Sequence, residues 1–261
     1  LREQPANYFI QSVQSWTTGI PKSVLFRILE EAYHCCVVPH LNMLNKTGPD
    51  PSLAYGELKP SLIHEIMTLA EVTEHSQIID LGSGVGNVVV HASLQTGCRS
   101  YGLEINLFAA KIATEHVATL HTRSKMWGVK PGSMEVECGD MRTSSRLQEL
   151  LPQADVVFVN NQNFDGDLNN CVFGMLKILK DGARVVSLKP LGMSMHAAVT
   201  DRDARSSIPC CITMHTYLPD DITWAHHTAG GHYYLHRIDH KEHRKIITHF
   251  DVRASVRKGI L

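Results

Sequence analysis

The sequence predicts an α/β fold built on a mostly parallel sheet, with a helical part in front of it. Three observations carry that expectation. Short apolar runs alternate with helical patterns from Gln77 to Leu188, which implies parallel strands joined by right-handed crossovers. The first run, Gln77 to Leu81, feeds three glycines at alternate positions (Gly82, Gly84, Gly86) and then apolar Val88-Val89-Val90. Strand, tight turn and helix make the opening unit of a nucleotide-binding fold. Two later stretches, Ile212 to Leu218 and His232 to Ile238, alternate well enough to be an antiparallel pair that closes the sheet.

Taken in order, residues 1–22 read as irregular, with Pro5 and Pro21 as breakers. Apolar positions recur at helical spacing from Ser23 to Leu44, with Ser23 as the candidate N-cap. A loop follows from Thr47 to Pro51, then Tyr55-Gly56-Glu57. Pro60 suits a first helical position and opens a helix over Ser61 to Val72. Past the glycine turn the expected elements are helix Val85 to Gln95, strand Arg99 to Glu104, helix Leu107 to Trp127 and strand Met134 to Cys138. Strand Ala154 to Val159, helix Leu168 to Leu179 and strand Ala183 to Leu188 complete the parallel part. Residues 191–211 show no usable period.

Composition narrows the class. At 43% apolar residues the chain can bury a full core. No apolar run approaches the ~20 residues of a membrane span, and no signal-peptide pattern opens the chain. The start at Leu1 is expected to mark a fragment. Seven cysteines without a C-x-x-C pair point to a reducing compartment. Sixteen histidines are scattered without metal-ligand spacing, so no metal is expected. Net charge is −1, but from Arg237 onward seven basic residues face three acids. That basic tail suits phosphate or an acidic surface, or is a solvated face.

The turn itself narrows the ligand. A dinucleotide fingerprint reads G-x-G-x-x-G and seats a pyrophosphate. Here the third glycine comes one residue early, Asn87 stands where glycine is wanted, and Asp80 lies two residues before Gly82. A carboxylate there repels pyrophosphate and suits a cationic ligand without phosphate. S-adenosylmethionine, with its ammonium, sulfonium and ribose, is such a ligand. The expected fold is therefore the seven-stranded, Rossmann-like class I S-adenosylmethionine-dependent methyltransferase fold. Tyr55-Gly56-Glu57 could fold over the cofactor, Gly56 permitting an unusual backbone. Glu104 ends the second strand about 20 residues past the turn, where an acid accepts ribose hydroxyls; the alternative is a surface glutamate. Asp140 ends the third strand and could accept from the adenine amino group with Met141 against the ring, or only cap a helix. Asn160-Asn161-Gln162-Asn163-Phe164 follows the fourth strand, beyond a strand C-terminus, where the methyl acceptor should sit.

Together these loops are more specific than any one of them. Tyr55-Gly56-Glu57, Asp80 to Asn87, Gly139-Asp140, Val159-Asn160-Asn161, Ser187 to Pro190, Trp224 and Tyr233-Tyr234-Leu235 occur in that order. The set closely resembles the catalytic domain of the disruptor-of-telomeric-silencing family, histone lysine methyltransferases without a SET domain, and is most similar to fungal members. The resemblance covers Ser23 to His240. It implies a nuclear enzyme of chromatin regulation and telomeric silencing. That enzyme methylates a lysine in the structured core of nucleosomal histone H3. Carried over by position, it implies that Tyr55, Glu57, Asp80, Gly82, Gly84, Asn87, Glu104, Asp140, Met141 and Asn160 surround the cofactor. Phe164, Trp224 and Tyr233 would line the lysine channel, with Asn160 near the methyl in transfer. Ubiquitinated histone and nucleosomal DNA are implied partners, through basic segments partly outside this chain; no membrane is. The chain divides into an accessory helical segment and cofactor-covering loop (1–59), the catalytic domain (60–240) and a basic segment (241–261). Two departures touch the acceptor side: Gln162 stands where the family has an aromatic residue, and the stretch from Trp224 to Tyr233 is about two residues longer.

Three rival readings remain. Amide methylation would want an Asn-Pro-Pro-Tyr-like loop, and Asn160 to Asn163 lacks the prolines. Arginine methylation would want paired acids in an acceptor loop, and none is evident. A binding module without turnover would sit uneasily with intact Asp80, Glu104 and Asn160.

Overall fold

Seven strands form one sheet in the order β3-β2-β1-β4-β5-β7-β6. They are β1 Gln77–Leu81, β2 Arg99–Glu104, β3 Met134–Cys138, β4 Val156–Val159, β5 Arg184–Ser187, β6 Cys210–Tyr217 and β7 Gly231–Ile238. The first five are parallel, and β7 runs antiparallel to both β5 and β6. The computed structural model describes residues 20–44, 46, 56–191, 200, 208–223 and 230–257. The parallel sheet and its antiparallel closing pair agree with the sequence expectation.

Helices explain the composition of the strands. The central strands β1 and β4 are buried along their whole length, as parallel strands covered on both faces must be. One face packs under α3 (Pro60–Leu69) and α4 (Asn87–Thr96), where Ile63, Ile66 and Met67 meet Ile78, Phe158 and Val186. The opposite face packs Ile79, Val157 and Val185 under α6 (Ser145–Leu150) and α7 (Gly166–Leu176). The accessory helix α1 (Lys22–Cys36) lies on α4 and α5 (Leu107–Met126) through Leu25, Ile28 and Leu29.

Several boundaries differ from the sequence expectation. Helix α1 starts one residue early, after Pro21, so Ser23 lies in its first turn and caps nothing. The helical pattern to Leu44 breaks at Cys36 and resumes as a 3-10 turn at Val38–His40 and a short α2 at Leu41–Leu44. Pro39 explains the break, since it cannot donate to the helix before it. Helix α3 stops at Leu69 rather than Val72, just before Glu71 turns left-handed at φ +50°. The 241–261 stretch, read as a basic segment without an element, is mostly helix: α8 spans His240–Arg257. Its start was legible, because Asp239 and Glu242 have capping-box spacing and the Asp239 carboxylate accepts from the Glu242 amide at 2.8 Å.

The strand order reverses between β1 and β4, neighbours whose connections leave in opposite directions. Ligands in open α/β sheets bind beyond the strand C-termini at such a point. Leu81, Glu104 and Val159 all end there.

Candidate functional site

The glycine turn is the floor of the site. Gly82, Gly84 and Gly86 adopt positive φ of 79°, 53° and 82°, a region that costs other residues strain. The turn is bolted to β2: Gly82 and Ser83 both donate to the Leu103 carbonyl, at 2.9 and 3.1 Å. Gly102 makes that approach possible, since a Cβ there would lie 2.7 Å from Val89 and 2.8 Å from Ser83. The phenyl ring of Phe164 covers the turn; a Cβ on Gly82 would sit 3.6 Å from its tip.

Charge then selects the ligand. Two adjoining hollows open over the turn, the larger about 390 Å³, and they share Gly56, Gly82, Gly84 and Asn160. Among their described wall residues the acids are Glu57, Asp80, Glu104, Asp140, Asp165 and Asp167. The only base is Arg142, and both carboxylate oxygens of Asp140 already hold its guanidinium, at 2.6–3.0 Å. A pyrophosphate would find no free cation there. Asp80 is fully buried; desolvation and the nearby Glu104 push its carboxyl up to about 7. Glu104 is anchored by the amides of Gly84 (2.8 Å) and Asn106 (2.7 Å), yet burial still raises its pKa. Two desolvated acids side by side are a ready receptor for positive charge.

Glu57 completes the acid wall from the strap Gly56–Lys59. It receives the Tyr33 hydroxyl on both oxygens, at 3.1 and 2.8 Å, and a hydrogen bond from Asn87. The strap is pinned to residues 221–223. Glu57 N donates to Thr223 Oγ1 and Thr223 N to the Glu57 carbonyl, both at 3.0 Å, and Lys59 N donates to the Asp221 carbonyl at 2.8 Å.

Two side-chain oxygens in the cleft wall, Asn160 Oδ1 and Ser83 Oγ, are buried without a hydrogen-bond partner. Such orphans cost about 1–3 kcal/mol each unless something satisfies them. Orphaned oxygens, a wall rich in desolvated acids and a glycine floor all fit a cationic adenosyl cofactor, with Glu57, Asp80 and Glu104 placed to hold it and Asn160 beside them.

The structure brings Glu57, Asp80, Gly82, Gly84, Asn87, Glu104, Asp140, Met141, Asn160 and Phe164 to this one cleft. Asp140 also caps its own turn, accepting from the Arg142 amide at 2.9 Å. Tyr55 and Trp224 lie outside the described residues. Tyr233 is not in the cleft wall. It is buried behind it, in the packed cluster that includes Leu188 and Phe158, stacked on His215 at 5.1 Å with its hydroxyl 3.3 Å from Glu65.

Comparison with known proteins supplies the family. The profile described as "Histone methylation protein DOT1" matches residues 33–238. The chain belongs to this family. It is 36% identical over 191 residues to the "Histone-lysine N-methyltransferase, H3 lysine-79 specific" of Chaetomium globosum, covering 73% of this chain and 37% of that protein. A protein of the same name from Cryptococcus neoformans is 38% identical, covering 78% of this chain and 32% of that one. The one from Mycosarcoma maydis is 32% identical over 93% of this chain and 30% of its own length. This DOT1-family chain thus spans well under half the length of these relatives. In fold it is similar to the O-methyltransferase of Bacillus cereus solved with SAH, at a TM-score of 0.51 and 12% identity over 88% of this chain and 97% of that one.

Three residues of the site escaped sequence reasoning. Tyr33 belongs to the accessory helix, and no spacing ties it to Glu57, 24 positions away. Gly102 could have been noticed as a glycine inside a strand, which often marks close approach. Asn161 was seen only as part of a polar loop.

Proposed function

We propose that this chain is the catalytic part of a nuclear histone-lysine N-methyltransferase. It would use S-adenosylmethionine and act on a lysine in the structured core of nucleosomal histone H3. The observation that carries the reading is the acid-walled cleft over the glycine turn, with Asp80 and Glu104 desolvated together and Asn160 Oδ1 unsatisfied. Family membership and the names of the fungal relatives support the substrate class.

The cofactor, when bound, supplies an activated methyl group on a sulfonium. The protein has to align and to desolvate. Asp80 and Glu57 would hold the cationic end, Glu104 would accept the ribose hydroxyls, and Asp140 with Met141 would meet the adenine. Asn160 orients the methyl or the attacking nitrogen through its unsatisfied oxygen. A lysine amine has an ordinary pKa of ~10.4 and attacks only when neutral. An apolar entry lined by Phe164 and the layer backed by Tyr233, to which the resemblance adds Trp224, would lower that pKa by desolvation. None of the described cleft residues is assigned to this proton; it would leave to water before the amine is enclosed.

The division into an accessory segment (1–59), a catalytic domain (60–240) and a basic segment (241–261) fits these roles. Helix α8 presents Lys241, Arg244 and Lys245 on an exposed face, which suits nucleosomal DNA or an acidic histone surface, ubiquitinated or not. The test is methyl transfer from labelled S-adenosylmethionine to intact nucleosomes and to free histones in parallel. Label on histone H3 in nucleosomes alone supports the reading. Label on free histone tails, or on another protein only, overturns it.

A further inference from the structure

Asn161 directly follows the cleft asparagine and is fully buried. Its amide uses every hydrogen-bonding position it has. Nδ2 donates to Asn169 Oδ1 at 3.0 Å and to the Lys189 carbonyl at 3.3 Å. Oδ1 accepts from the Leu188 and Lys189 amides at 3.1 and 2.9 Å. Two backbone donors converging on one atom fix the amide's orientation, because a flipped group would set donors against donors.

Those partners sit at a particular place. The β4–β5 ladder ends with Val159 paired to Ser187. Beyond it the chains separate, and the Asn161 side chain carries the strand-to-strand connection one step further. Asn169, near the start of α7, continues it. Its Nδ2 donates to the carbonyls of Phe164 (3.0 Å) and Asp165 (2.8 Å). The Lys189 ammonium adds a bond to the Gln162 carbonyl. The loop 160–165 is thus held at its start by Asn161 and at its end by Asn169, and the two amides are bonded to each other. Asn160 and Phe164 ride on that loop.

We propose that Asn161, together with Asn169, is a positioning residue for methyl transfer: the linked amides set the placement of Asn160 over the cleft. This rests on the cofactor reading above. It assigns the acceptor geometry to a polar clamp that touches neither cofactor nor lysine.

The test uses Asn161→Asp, which keeps the acceptor oxygen but sets an oxygen against Asn169 Oδ1 and the Lys189 carbonyl, and the milder Asn169→Ala, which removes the three bonds of a half-buried side chain. A displacement of about 1 Å at a reacting group costs on the order of 100-fold in rate. Asn161→Asp is expected to lose about that much in kcat and Asn169→Ala about tenfold, with S-adenosylmethionine Kd within about threefold of wild type. If Asn169 acts through Asn160, Asn169→Ala adds no further loss in the Asn160→Ala background. Additive losses, or a Kd that rises as kcat falls, would show a merely structural role and overturn the proposal. The side-chain amide resonance of Asn160 gives a second readout without turnover. Asn169→Ala should shift it and abolish its response to cofactor. Unchanged resonance and rate overturn the proposal; a shifted resonance in a chain that methylates no histone upholds the clamp and removes the substrate assignment instead.

Discussion

The cofactor side and the acceptor side of the cleft are built differently. On the cofactor side most residues stand at or next to the end of a strand they belong to; Glu57, brought in by the strap and pinned to Thr223 across 166 positions, is the exception. Asp80 and the glycine turn close β1, Glu104 closes β2, and Asp140 follows β3. Hydrogen bonds between adjoining strand ends keep them in place: Gly84 to Glu104 and Ser83 to Leu103, with Asn106 to Glu104 inside one turn. On the acceptor side the parts come from far apart. Asn161 reaches 28 positions to Lys189, and the loop it holds carries both Asn160 and Phe164. A cofactor site can be held by local turns because its ligand is invariant. The loop where the acceptor is expected is held by long-range contacts, and the two departures that the sequence resemblance suggests, Gln162 and the stretch after Trp224, fall on that side.

That contrast predicts separable failures. The largest should come from Gly82→Arg, which forces a side chain onto a φ of 79° and into the ring of Phe164. Binding of S-adenosylmethionine, followed by calorimetry, is expected to weaken more than about 100-fold, or more than about 2.7 kcal/mol. On the other side, Asn160→Ala should cut kcat by about 50-fold, within the range for lost orientation, while calorimetric affinity stays within about threefold. Next comes pH. Asp80 titrates near 7 in the free protein, and a cationic ligand favours its ionised form. Affinity should therefore rise about tenfold from pH 6 to pH 8 with proton release, and Asp80→Asn should flatten that profile. The stability sign is opposite. Because the folded pKa lies above the unfolded one, thermal stability of the cofactor-free protein should fall as pH rises from about 4 to about 7.

A smaller effect should follow Tyr33→Phe. It removes the hydroxyl that both oxygens of Glu57 share, and a lost hydrogen bond to a charged group is worth about 1.5 kcal/mol or more. Cofactor affinity should drop about tenfold or somewhat less, with kcat at saturation unchanged. The smallest belongs to Gln162→Phe, which restores the aromatic residue that the resemblance implies. Turnover on nucleosomes should change about twofold, with cofactor affinity unaltered; a changed cofactor Kd would show that the two sides are not separable there.

Legibility in the sequence followed the same division. Asp80, the glycines and Glu104 are local signals with fixed spacing, and the structure places them together in the cleft. Phe164 was expected to line the lysine channel; its ring also covers Gly82, because the loop after β4 folds over the glycine turn that follows β1. Tyr233 was expected in the channel; its hydroxyl turns to Glu65 because that face of β7 packs under α3. Neither contact leaves a periodic trace. Helix α8 was missed because its apolar residues follow no clean 3.6 repeat, although Asp239 and Glu242 signalled its start. The clamp of Asn161 and Asn169 was invisible for a simpler reason: a buried asparagine and a loop asparagine look alike until their partners are known.

The most direct test measures cofactor affinity and single-turnover methyl transfer on the same three proteins: wild type, Gly82→Arg and Asn160→Ala. The account predicts lost binding in Gly82→Arg and, in Asn160→Ala, near-normal binding with a rate about 50-fold slower. Normal binding in Gly82→Arg, or parallel loss of binding and rate in Asn160→Ala, would contradict it.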